Sequence, residues 1–147
     1  MEINSSDPFS CVSRKEKAFY KAAEAMSTLS DHKSRHGAVV VEHGCIISSG
    51  HNSSTRCSRL QADLDSQYFR VEGCHGPLHA ETMALLPLIR KRYEFSNTTL
   101  YIFRRDRLGN LAQSRPCPRC MELIKRCGIK KIKYTTADGF TTEKLVY

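Results

Sequence analysis

No apolar run in this sequence approaches the roughly 20 residues needed to span a bilayer. A membrane partner is therefore not expected. The opening residues, MEINSSDPFSCVSRKEK, lack the basic start and apolar centre of a secretory signal. The expectation is a cytoplasmic protein, where thiols stay reduced. Internal repeats and low-complexity tracts are also missing, so nothing points to a repeat architecture. Full pairing of the cysteines is excluded by their number, since seven is odd. Clustered cysteines in such a chain point to metal before disulfides.

What is present is the size and composition of one ordinary globular domain. The chain has 147 residues, of which 40 % are hydrophobic and 26 % charged, and one core suffices for that length. We expect a single domain over residues 1–147, with 1–12 a loose arm. Net charge is +8 and unevenly spread. Residues 90–133 hold thirteen Lys and Arg against three acids, so the rest of the chain is slightly acidic. A basic half suits a phosphate-bearing partner, although it also serves as a solubilising surface.

Patterning predicts an α/β fold. Ser13 and Glu16 form an S-x-x-E capping box that opens a helix. Ala18, Phe19, Ala22, Ala23, Met26 and Leu29 then recur at helical spacing, and the helix should stop near Ser30. Residues 37–41 (GAVVV) and 45–49 read as the strands of a hairpin turned by Glu42, His43 and Gly44. Residues 50–76 are mostly polar, with a helical stretch around 58–68. Such long loops usually serve a site or are disordered. A second helix is predicted over 78–93, kinked or shortened by Pro87. A third strand covers 98–103, and Gly109 marks the turn of a hairpin extension over 104–115. A third helix covers 116–127 and ends at Gly128 as a left-handed cap. Strands follow at 129–135 and 140–146. A parallel return needs a crossover of about a dozen residues or more, so the last two strands should be antiparallel.

Two segments carry chemistry: P-L-H-A-E at residues 77–81 and P-C-P-R-C at 116–120. Zinc takes imidazole nitrogen and thiolate sulfur tetrahedrally, and catalytic sites keep one position open for water. His79, Cys117 and Cys120 are three such ligands. Three residues apart, the two cysteines share one helical face. At a helix start, the dipole and free N–H groups favour thiolates. Glu81 lies two residues from His79 and so off its helical face. It suits a proton carrier better than a fourth ligand. A metal that makes the nucleophile and a carboxylate that moves protons suit hydrolytic removal of an amino group. A purely structural zinc site would want a fourth ligand and have no use for Glu81.

H-x-E followed by P-C-x-x-C resembles the zinc-dependent cytidine/deoxycytidylate deaminase superfamily, whose base-deaminase signature is well established. His36-Gly-Ala-Val-Val-Val and the Gly50-His51-Asn52 segment are similar to that family's first hairpin and its G-x-N end. Cys127-Gly-Ile-Lys-Lys-Ile resembles its helix-to-strand junction. The likeness covers roughly residues 14–136. It implies a three-layer α/β/α cytidine deaminase-like fold with a mixed five-stranded sheet. It implies one catalytic zinc ion on His79, Cys117 and Cys120, with Glu81 as proton shuttle. It also implies substrate contacts from Asn52, Ala80, Arg115 and Pro116. The reaction implied is cytosine-type amine to uracil-type carbonyl in a free nucleoside or nucleotide, by a homo-oligomer. Cys117 follows His79 by 38 residues, an excess that fits the extra hairpin around Gly109.

Alternative readings stay open. A cytosine or adenine within single-stranded DNA or RNA needs the same metal chemistry. A non-catalytic, zinc-stabilised nucleic-acid-binding module would need four protein ligands on the metal. Cys57, Cys74 and His75 offer three ligands for a second, structural ion, or four with Cys45 or His51. We read them as reduced thiols rather than a second site. Cys11 and Cys127 have no pattern around them. Tyr68 and Phe69, between Arg59 and Arg70, are better placed to stack on bases than Tyr101 or Phe103, which sit in a strand.

Overall fold

The computed structural model describes residues 9, 10, 12–54 and 78–146. The stretch around 58–68, the candidates Cys57, Cys74, His75, Tyr68 and Phe69, and Cys11 lie outside the described residues.

Helix α1 spans Arg14–Ser27, and the Glu16 amide donates to the Ser13 hydroxyl at 3.2 Å, so half of the expected capping box forms. The Glu16 carboxylate pairs with Lys133 at 3.4 Å. Tyr20, Ala23 and Ser27 are buried, and Phe19, Ala22 and Met26 of the expected apolar face pack half-buried against the same cluster. Ala18 is exposed. Leu29 is 60 % exposed because the helix ends before it. The Ser27 and Thr28 hydroxyls donate back to the carbonyls of Glu24 and Ala25, each at 2.6 Å, which competes with further helical turns.

Strands β1 (Arg35–Glu42) and β2 (Cys45–His51) form the predicted hairpin. His43 and Gly44 both take positive φ, the conformation a tight two-residue turn requires. Helix α2 is Ala80–Arg90. It runs through Pro87 and ends three residues later, short of residue 93. Strand β3 is Thr98–Arg105, helix α3 is Pro118–Cys127, β4 is Lys131–Thr136 and β5 is Gly139–Lys144. Gly128 caps α3 in the left-handed region, as read from the sequence.

The sheet order is β2-β1-β3-β4-β5. Only β3 and β4 run parallel, joined through α3; β4 and β5 form the expected antiparallel hairpin. Side chains alternate across the sheet. Val39, Val41, Tyr101 and Phe103 face α1 and pack with Tyr20 and Phe9. Ala38, Val40, Leu100, Ile102, Ile132 and Tyr134 form the other cluster, with Leu85 and Leu88 of α2 and Leu123 and Ile124 of α3. Three layers result. Tyr101 and Phe103 are core residues, 4 % and 0 % exposed, as strand aromatics usually are.

Two glycines bring the layers close. A Cβ on Gly37 would lie 1.9 Å from the Ala23 carbonyl oxygen of α1. A Cβ on Gly50 would lie 2.5 Å from the Ala80 oxygen and 2.6 Å from the Ala84 nitrogen. The second contact seats the start of α2 directly on the end of β2. No helix among the described residues is long and apolar enough to cross a membrane.

Candidate functional site

Two helix beginnings meet at one edge of this frame. His79 is the extended residue that caps α2, and Cys117 is the extended residue that caps α3. Pro118 occupies the first turn of α3, where its missing N–H costs nothing. Cys120 follows one turn in and is fully buried. Cys117 thus precedes the helix rather than lying within it, yet both sulfurs face the positive end of the helix dipole.

The loop that delivers Cys117 is tied down by buried hydroxyls. The Ser114 amide donates to the Thr135 carbonyl at 2.8 Å, and the Thr135 amide donates to Ser114 Oγ at 2.8 Å. Thr135 Oγ1 also donates to the Ala112 carbonyl at 2.9 Å. These bonds fix residues 112–114 against β3 and β4 just before the motif. The extension around Gly109 is a real turn, in which Asp106 Oδ1 accepts the amides of Leu108 and Asn110.

His79, Cys117 and Cys120 come together. Their ligand atoms lie within 4.8 Å of one another, and no other such group of three occurs among the described residues. His79 Nδ1 is 3.7 Å from Cys117 Sγ and 3.2 Å from Cys120 Sγ. Tetrahedral zinc with bonds of about 2.0–2.3 Å needs donor separations of roughly 3.3–3.8 Å. The donor set therefore fits zinc in type; the His79–Cys117 separation falls in that range and the His79–Cys120 separation just under it. Cys45 is exposed where β2 leaves the β1–β2 turn and joins no such group among the described residues.

The two thiols shift each other in opposite directions. The Cys120 thiol beside it, then His79, pull Cys117 down to about 3 against the effect of burial. Cys120 is pushed well above its ordinary range by Cys117 and by burial. Burial alone would lower His79, but Cys117 and Glu81 outweigh it and raise the imidazole. Glu81 is 4 % exposed. Burial raises its carboxyl above the ordinary range, with His79 opposing. A carboxyl poised in this way gains and loses a proton nearer neutrality than an exposed glutamate does.

The centre opens into a cleft of about 220 Å³, lined by His79, Ala80, Glu81 and Cys117 on one side and by His32, Ser34, His36, Asn52 and Arg115 on the other. Asn52 is buried. Its Oδ1 accepts the His36 amide at 2.8 Å and its Nδ2 donates to the Ser34 carbonyl at 2.5 Å. Among the described residues, one N–H and one lone pair of its amide are left over. Arg115 reaches the rim, where Glu143 of β5 holds its guanidinium by two bonds of 3.0 and 2.9 Å. Tyr134 donates to the same carboxylate at 3.1 Å. Pro116 is buried and does not line the cleft.

Sequence reasoning assigned no role to His32, Ser34 or His36. The available signal was a polar D-H-K-S-R-H run between a helix and a strand. Burial lowers His36 to about 4, and the charge of Arg104 adds to this. It is a neutral imidazole at physiological pH.

Residues 12–136 match the cytidine and deoxycytidylate deaminase zinc-binding region. No curated relative matches the sequence. Among solved structures, the apo dCMP deaminase of the cyanophage S-TIM5 is 26 % identical, with a TM-score of 0.59 and 84 % of each chain covered. A structure of the S-TIM5 enzyme with dCMP and dUMP is 24 % identical, with a TM-score of 0.59, and covers 84 % of this chain and 82 % of that one. The cytidine deaminase of Burkholderia pseudomallei shares the fold at 15 % identity and a TM-score of 0.60, covering 90 % of this chain and 93 % of that one.

Proposed function

The chain belongs to the cytidine and deoxycytidylate deaminase zinc-binding family, and from that membership and the geometry of its cleft we propose that it hydrolyses the exocyclic amine of a cytosine carried by a nucleoside or nucleotide. One observation supports this above the others. Three zinc-type donors converge on a cleft whose wall holds a buried carboxyl, Glu81, that is not one of them. His79, Cys117 and Cys120 would hold the zinc ion. When bound, zinc lowers the pKa of water so that hydroxide forms near neutral pH.

Glu81 takes the proton released from the attacking water and delivers it first to the ring nitrogen beside the reacting carbon. Its second transfer goes to the amine. The C–N bond breaks, the carbon keeps the water oxygen as a carbonyl, and ammonia leaves. Water and a cytosine-type base are consumed; a uracil-type base and ammonia are formed. Low exposure of Glu81 keeps bulk water from competing for that proton. Asn52 offers its remaining N–H and lone pair to the sugar or base. The Ala80 main chain lies beside the ring position, and Arg115 stands at the mouth toward a phosphate. Likeness to a dCMP deaminase supports a nucleotide as substrate.

A module that only binds zinc is disfavoured, because no fourth ligand joins the three among the described residues. The test is an ammonia-release screen of zinc-loaded protein on cytidine, deoxycytidine and their mono- and triphosphates. Release from at least one cytosine compound, with the matching uracil product, is the expected result. Silence across all of them, with zinc present at one per chain, would overturn the proposal.

A further inference from the structure

The arginine at the mouth of the cleft is held by a strand that lies after the chemical motifs. β5 falls beyond the matched residues 12–136, so that likeness assigns it no role. Glu143 of β5 stands opposite Ile132 of β4, and Tyr134 lies two residues further along β4. Long and aromatic side chains in such diagonal register reach each other. The Tyr134 ring is buried in the core, and its hydroxyl donates to Glu143 Oε2 at 3.1 Å. The same oxygen accepts Arg115 Nε at 3.0 Å, and Oε1 accepts Nη2 at 2.9 Å. A buried ring thus fixes the carboxylate, and the carboxylate fixes the guanidinium. The main chain of Arg115 is tied as well. Ser114 before it donates its amide to the Thr135 carbonyl at 2.8 Å, and Pro116 after it restricts its backbone to extended conformations.

Stability does not account for this arrangement. The two side chains are 46 % and 30 % exposed, and ion pairs open to water add little to folding. What sets the pair apart is its place, because Arg115 lines the cleft over Glu81. Glu143 takes two of the five guanidinium N–H groups and Tyr134 at most one, so at least two are left for a ligand. Paired N–H groups on one planar cation match the oxygens of a phosphate. Glu143 offsets the charge of Arg115, but Lys125 acts on Glu143 and Arg119 acts on His79, so further cations stand around the mouth. A loose arginine gives up rotamer freedom when it binds an anion. Arg115 has given it up beforehand, which strengthens binding without any new contact.

We propose that Glu143 is a positioning residue: it aims Arg115 at the phosphate of the substrate and so sets a preference for the nucleotide over its nucleoside. The inference rests on the cytosine reading above and gives β5 a part in it. Glu143 touches neither the reacting base nor the metal ligands; it acts through Arg115 alone.

The test measures kcat and KM on deoxycytidine monophosphate and on deoxycytidine, per bound zinc, so that misfolded protein does not count. The variants are Glu143→Gln, Arg115→Gln and the two together. Glu94→Gln, which removes an exposed acid just before β3, is the control. Glu143→Gln should raise KM for the monophosphate about tenfold, as expected for a charged bidentate contact let loose, with a much smaller change in kcat. The preference for the monophosphate over the nucleoside should fall by the same factor. In the Arg115→Gln background, Glu143→Gln should add nothing, because two residues acting as one unit are not additive. A Glu143 effect that persists in that background overturns the proposal. So does an equal loss on both substrates, no loss at all, or the same loss in the control. Calorimetric Kd values for the monophosphate on Glu81→Gln protein, with and without Glu143→Gln, separate this inference from the reading beneath it. No turnover of any cytosine compound, with monophosphate binding that still depends on Glu143 through Arg115, overturns the cytosine reading and leaves the clamp standing. Turnover with binding indifferent to Glu143 overturns the clamp and leaves the cytosine reading standing.

Discussion

One face of the sheet is rich in aromatic rings and the other mostly aliphatic, and only the second meets the chemistry. Against α1, the Tyr20 and Tyr101 rings lie 5.1 Å apart, Phe140 lies 4.2 Å from Tyr20, and Phe9 stacks on Phe103 at 6.3 Å. Against α2 and α3, the contacts are Leu85, Leu100, Ile102, Ile124 and Ile132. Among the described residues, the α1 face presents no ligand cluster. The α2 and α3 face ends where two helix N-termini converge, and there the chain places an imidazole, two thiols and a carboxyl. The contrast teaches a division of labour. Rigid ring packing on one side holds the sheet, and the sheet then sets the spacing of two helix starts on the other.

That contrast is breakable. The largest effect should come from Cys120→Ala, which removes a buried ligand. It should abolish stoichiometric zinc and lower the melting temperature together, because metal binding and folding are linked. Elemental analysis and a thermal melt on one preparation check this, and full zinc in the variant would break the assignment of that face. Next is Tyr20→Ala on the aromatic side. Removing a fully buried ring should cost about 3–5 kcal/mol of stability, read by urea unfolding, while the folded fraction keeps one zinc per chain. Loss of zinc in the folded fraction would show that the two faces are not separable.

A smaller effect concerns pH. The His36 imidazole is lowered to about 4, so between pH 6.5 and 4 the unfolded chain binds a proton that the folded chain does not. Stability from this group is full above pH 6.5 and declines as pH falls through that window, by up to roughly 3 kcal/mol. His36→Gln should remove that share of the acid sensitivity. Melting temperatures measured every half pH unit check it, and parallel curves for the two proteins would contradict it.

The legible parts of the molecule were those where chemistry restricts residue type. His79, Glu81, Cys117 and Cys120 stand out because zinc and proton transfer need those atoms at helix starts. The strands over Val39, Val40, Leu100 and Ile102 stand out because a buried sheet needs β-branched and aliphatic residues. Helix α1 had the right period, and Phe19, Ala22, Ala23 and Met26 of its expected face pack inward, whereas Ala18 and Leu29 do not. Its largest buried side chain, Tyr20, carries a hydroxyl that hides it among polar residues, and its end is set by the Ser27 and Thr28 back-bonds that exclude Leu29. On the far wall of the cleft, Asn52 and Arg115 were named through the family likeness alone, and His32, Ser34 and His36 were not legible. His36 and Ser34 reach it through bonds to Asn52 that span 16 and 18 residues. The Arg115–Glu143 clamp spans 28. Long-range polar contacts of this kind leave no period in a sequence.

The central claim is that Glu81 moves protons at a centre it does not help to build. Zinc content and ammonia release should be measured on the same preparations of wild type and Glu81→Gln. The account predicts one zinc per chain in both, with release from the cytosine substrate lowered by about a hundredfold or more in the variant. Undiminished release from the variant, or loss of its zinc, would contradict it.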